Sequence, residues 1–144
     1  MGRSARLAEL PGWARELVER SRVARLGLID DEGGPRVLPV TYALAGEELV
    51  TVVDQKPKLV EGERLARVRW LRSRPRAALT IDHYDDDWSQ LAWVQALGSM
   101  RILDPADAPE AMDALLERYA PYRAETPAGP LLALEPERLL WWRA

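Results

Sequence analysis

Residues Val23–Val53 read VARLGLIDDEGGPRVLPVTYALAGEELVTVV, and their punctuation decides the fold. VARLGLID is a short apolar strand, and DEGGP stops it, because Gly and Pro supply the backbone angles of a tight reversal. RVLPVTYAL resumes as a second strand, AGEE turns, and LVTVV makes a third. Strands joined by tight glycine-containing turns predict an antiparallel meander. Pro39 has no N–H for a ladder, which places its strand at an edge or a bulge. An edge guarded against aggregation is one reading of it; a strand lying against a flat aromatic ligand is the other.

Before this stretch, LAELPGWARELVERSR (7–22) has Leu7, Leu10, Trp13, Leu17 and Val18 at helical spacing, with Pro11 expected in the first turn. After it, EGERLARVRWLRS predicts a helix with Leu65, Val68 and Leu71 on one face. RAALTIDHY reads as a strand, DDDWS as a loop, and QLAWVQALGSMRIL as a strand of about 14 residues spanning roughly 45 Å, with Gly98 marking a bulge or bend. DPADAPEAMDALLERY predicts a helix facing Met112, Leu115 and Leu116 inward. APYRAETPAGP reads as a loop, and LLALEPERLLWWRA as two short strands split at Pro136-Glu137-Arg138, with Trp141 and Trp142 on opposite faces. Neither an internal repeat nor a dividing linker is visible. The expectation is one mainly β domain over 1–144: an N-terminal helix (1–22), a barrel core (23–104), then a helix and closing strands (105–144).

The 144 residues suffice for one core, and 47% hydrophobic against 30% charged residues is a globular balance. No apolar run reaches the roughly 18 residues of a membrane span, and the N-terminus lacks a secretion-signal pattern, so cytoplasmic residence is expected. The absence of cysteine removes thiolate chemistry and Cys-ligated metals. A net charge of −3 disfavours a nucleic-acid partner. The charge is unevenly placed: Lys56 to Arg76 holds eight Lys or Arg against two acids, and Asp82, Asp85, Asp86 and Asp87 follow. Such a segment suits a small anionic ligand.

That basic segment begins where the third strand ends, LVTVVDQKPK (49–58). Lys56 and Lys58 about the stiff Pro57, followed by a helix start, are a sound phosphate anchor; a solvated surface turn is the bland alternative. The only histidine, His83, has no His or Cys neighbour and no triad order, so no metal or catalytic constellation is assigned. The three consecutive aspartates lack the spacing of a calcium loop. Trp88 and Trp93 suit ring stacking or, equally, ordinary packing. Neither a GxGxxG nor a GxxxxGK[ST] fingerprint is present.

In order and spacing, ARLGLIDDEGGPRVLPVTYAL, LVTVVDQKPK and LRSRPRAALTID resemble the pyridoxamine 5′-phosphate oxidase-like family of antiparallel split β-barrels, an FMN-binding-like fold with two or three helices. Arg74 stands before Pro75 where that family usually has Asn. The DQKPK loop and DHYDDDWSQLAWVQALGSMRIL are most similar to its actinobacterial branch that uses the deazaflavin coenzyme F420. The resemblance implies a homodimer with cofactor sites at the interface. Backbone groups of Val40 and Thr41 would meet the ring's polar edge. Lys56 and Lys58, with Thr51 or Arg64, would hold the phosphate, and Trp88 and Trp93, of the same or the second subunit, would line the site. It implies hydride transfer from reduced F420 to an electron-poor acceptor, with Tyr42, Tyr84 or His83 as proton donor. An FMN-dependent oxidase or reductase is the first alternative, and a non-catalytic flavin- or haem-binding split barrel the second.

Overall fold

The computed structural model describes residues 1–54 and 61–144, and of residues 61–65 the backbone only. In chain order the elements are β1 (Gly2–Ser4), α1 (Gly12–Arg20), β2 (Ala24–Ile29), β3 (Pro35–Val40), β4 (Ala43–Ala45) and β5 (Glu48–Val52). Then follow α2 (Glu61–Ser73), β6 (Arg76–His83), β7 (Ala92–Leu103), α3 (Pro109–Arg118), α4 (Ala120–Ala124) and β8 (Leu131–Arg143).

All strands join one antiparallel sheet in the order β3-β2-β6-β7-β8-β5-β4, with β1 also on β8. The consecutive strands β3 and β4 therefore lie at opposite ends of the sheet, yet only Thr41 and Tyr42 separate them. Two linking residues reach roughly 10 Å at full extension, so the sheet must curl until its ends nearly meet. This is a split barrel. The single strand expected over RVLPVTYAL is broken at Thr41-Tyr42, and the expected meander is two hairpins on opposite edges. Edge position accounts for Pro39, whose missing N–H faces no neighbour strand.

Period two sorts the strands' side chains between two cores. Leu26, Leu79, Ala96 and Leu139 lie abreast across β2, β6, β7 and β8 and fill the barrel. On β5, Leu49 faces the same interior, while Val50 and Val52 face outward to a second cluster with Met112 and Leu115 of α3. Ala14, Leu17 and Val18 of α1 cover the barrel core.

Several expectations are corrected. The N-terminal helix is interrupted: Leu7–Glu9 form a 3-10 turn and Pro11 is the N-cap of α1, because the residue before a proline is pushed to extended backbone, as Leu10 is. Gly2–Ser4 form a strand where the Trp141 ring lies against the glycine; a Cβ on Gly2 would fall 2.0 Å from that ring. APYRAETPAGP contains the short helix α4, bringing the helices to four among the described residues. The C-terminal segment is one continuous strand. Pro136-Glu137-Arg138 is not a turn: Leu97 pairs with Arg138 and Gly98 with Pro136, leaving Glu137 as the extra residue of a bulge. The irregularity expected at Gly98 is present, but its extra residue is on β8, and a bulge is where a strand tolerates proline.

Among the described residues no helix is long and apolar enough to cross a membrane.

Candidate functional site

At the split, the end of β3 faces the end of β5 and the middle of α2. Pro39, Val40, Thr41, Thr51, Val52, Asp54 and Arg67 line a polar pocket there. Thr51 is the one side chain classed as buried and polar among the described residues, at 1% exposure, and its hydroxyl brings a donor and acceptor to this lining. Arg67 brings a permanently charged planar donor, and Asp54 a carboxylate.

Two tyrosines from the α3–α4 segment fasten the crossing at Thr41-Tyr42. Tyr122 Oη donates to Asp54 Oδ2 at 2.6 Å and lies 2.6 Å from Thr41 Oγ1. Tyr119 Oη accepts from the Tyr42 N–H at 3.1 Å and stands 2.9 Å from the Tyr42 and Arg22 carbonyls. The two rings meet edge to face, 5.5 Å between centroids. Tyr42 is fully buried and donates to the Val18 carbonyl at the end of α1, with the Arg118 guanidinium over its ring. Burial pushes both the Tyr42 and Tyr122 phenols well above their usual value, and the hydrogen bond to Asp54 adds to this at Tyr122. An unfolded phenol releases its proton at about pH 10, whereas the folded one holds it to higher pH. The stability tied to these neutral phenols is thus complete below about pH 10 and lost as pH rises toward the folded values, by up to about 1.4 kcal/mol per pH unit for each. Thermal melts are expected to show Tm falling above about pH 10, less steeply in Tyr122→Phe.

Of the residues singled out in the sequence, the structure brings Val40, Thr41 and Thr51 to one pocket. Lys56, Pro57 and Lys58 lie outside the described residues. Arg64 sits on α2, but its side chain is also outside them. Neither Trp88 nor Trp93 lines the pocket. Trp88 is 70% exposed, and Trp93 lies on the outer sheet face abreast of Asp82 and Trp142. Tyr84 and His83 are exposed and away from the pocket, and Tyr42 is held in the core, so none of the three suggested proton donors reaches it.

The basic run disperses. Arg69 binds Asp31 at 2.7 Å, Arg74 donates to the Asp30 carbonyl at 3.0 Å, and Arg76 binds Glu137 at 2.7 Å. Among the described residues, Arg67 is the cation that lines the pocket. Its signal was its place one helical turn after Arg64, on the same face. Tyr122 carried no local signal at all. Among the described residues no group of three or more His, Asp or Glu is placed to hold a metal.

The family model for pyridoxamine 5′-phosphate oxidase matches residues 13–139. The chain belongs to the pyridoxamine 5′-phosphate oxidase family. No curated protein matches the sequence. Among solved structures, this family member is similar to a haem-binding protein from Mycobacterium smegmatis (TM-score 0.70, 23% identity, 92% of this chain and 55% of that one). It thus spans about half the length of that protein. A conserved hypothetical protein from Mycobacterium tuberculosis aligns with a TM-score of 0.73 at 19% identity, over 99% of this chain and 90% of that one. An FAD-binding protein from Mesorhizobium loti gives 0.64 at 17% identity, over 92% and 94%. At these identities the likeness establishes the split-barrel fold for this oxidase-family chain.

Proposed function

We propose that the protein is a flavin-type oxidoreductase that holds its cofactor in the pocket at the split and reduces a small electron-poor organic acceptor. The observation that carries this reading is the donor set of the pocket. The buried Thr51 hydroxyl and the Arg67 guanidinium suit a phosphorylated tail, and Val40, Thr41 and Asp54 suit the polar edge or chain of the same ligand. Family membership and the FAD-binding structural relative support it.

When bound, the reduced ring supplies a hydride. The chain's own residues bind and orient. Arg67 neutralises phosphate charge, and Lys56 and Lys58, which follow β5 in the sequence, would add to it. Backbone groups of Val40 and Thr41 fix the ring's polar edge. Positioning and electrostatics of this kind are what a protein contributes to cofactor chemistry. This reading needs no nucleophile from the chain.

The longer anionic tail of F420 would draw on the basic run as far as Arg76, yet Arg69, Arg74 and Arg76 are engaged elsewhere. A single phosphate suits one pocket guanidinium, so FMN is the first choice. F420 is the second, carried by Lys56 and Lys58, and haem the third, by the mycobacterial haem-binding relative. Completion of each site by Trp88 and Trp93 of a second protomer is part of the same proposal. Both tryptophans lie outside the pocket of their own chain, and Trp88 is exposed.

Titration of the purified protein with FMN, F420 and haem, followed by tryptophan fluorescence and visible absorbance, tests the choice. Saturable quenching by FMN is expected. Saturation by F420 alone or haem alone moves the assignment to that ligand, and silence with all three ends the cofactor reading. Sedimentation that shows only monomer at assay concentration ends the two-protomer site.

A further inference from the structure

One side of the pocket has a hydrogen-bond direction set by a single proton. Asp54 as a carboxylate only accepts, so the contact from Tyr122 Oη to Asp54 Oδ2 uses the phenol's one proton. Tyr122 Oη then has only lone pairs for its contact with Thr41 Oγ1, and Thr41 must donate there. With its proton committed, the Thr41 hydroxyl retains acceptor capacity alone. Thr41 and Asp54 both line the pocket, while the Arg67 guanidinium can only donate.

We propose that Tyr122, reaching in from α4, fixes the Thr41 hydroxyl as an acceptor so that the pocket selects ligands presenting an N–H or O–H to it and rejects those with a methyl or carbonyl there. Tyr122 is a positioning residue, since it does not line the pocket and acts through Thr41, which does. A site built to bond a donor discriminates strongly against the analogue lacking it, because its acceptor is then left without a donor. The alternative role, a strap tying α4 to the sheet, would alter stability but leave ligand preference unchanged. The inference rests on the cofactor reading for its probe, FMN, which carries both a ring N–H and chain hydroxyls.

Two probe pairs separate those donors: FMN against its N3-methyl derivative for the ring, and riboflavin against lumiflavin for the chain. Dissociation constants from fluorescence quenching are expected to favour the donor-bearing member of one pair roughly tenfold or more. Thr41→Val should bring that ratio to within about threefold of one, and Tyr122→Phe should lower it at least about threefold with the circular dichroism unchanged. Wild-type ratios near one in both pairs, or a wild-type ratio retained in Tyr122→Phe, overturn the inference while leaving the cofactor reading in place. Failure of all four probes to bind overturns both together.

Discussion

Gly98→Val is expected to destabilise the protein by about 3 kcal/mol or more, seen as a lower Tm and urea midpoint with an unchanged m-value. A Cβ at Gly98 would sit 2.4 Å from the Glu135 carbonyl oxygen and 3.3 Å from the Glu137 nitrogen, both backbone atoms of the bulge in β8. Backbone cannot rotate out of the way as a side chain can, so the bulge itself must move. That bulge lies in the central β7–β8 pair, whose residues Ala96 and Leu139 are in the barrel core. The control is Gly27 in β2, where a Cβ meets nothing nearer than 3.9 Å. Gly27→Ala is expected to be neutral or slightly stabilising, because it only reduces the freedom of the unfolded chain. Equal tolerance of both substitutions would mean that the bulge does not depend on the missing side chain.

Arg67→Ala is expected to weaken FMN binding by about 1.5–3 kcal/mol, roughly 10- to 150-fold, the usual worth of a hydrogen bond to a charged group. The effect should be far smaller for riboflavin, which lacks the phosphate. Arg69→Ala and Arg76→Ala should leave FMN affinity within a few tenths of a kcal/mol, since those guanidinium groups are paired with Asp31 and Glu137 on exposed surface. If Arg69→Ala or Arg76→Ala instead costs as much as Arg67→Ala, the long basic run does act as a unit and F420 regains first place. An Arg67→Ala protein that keeps full FMN affinity removes Arg67 from the site.

The legible parts of this chain are those that local chemistry governs. The turn glycines and proline in DEGGP delimit β2 and β3, and Gly33 has the positive φ such a turn needs. Helical spacing placed α2 over Glu61–Ser73, where Val68 and Leu71 are buried as expected. The close approach at Gly98 was readable because a glycine inside a long apolar strand has few other uses.

Pairing between distant segments was not readable. Nothing in RVLPVTYAL announces that its two halves belong to opposite edges of one sheet; that break exists because β2 and β5 each recruit a partner and the curled sheet leaves two residues to cross the gap. The proline in β8 looked like a turn until β7 lay beside it and a bulge absorbed it. The same holds at the site. Val40, Thr41 and Thr51 could be nominated from strand ends, but Arg67 was selected from a dense basic run only by how α2 packs beside the ends of β3 and β5. Tyr122 lies 81 residues from Thr41 and 68 from Asp54. Sequence alone determined the β-rich class, the turns and the helix faces, because propensity and periodicity act over a few residues. Tertiary structure decided the closure of the barrel and the membership of the pocket, because burial and hydrogen-bond partners are settled only when remote segments meet.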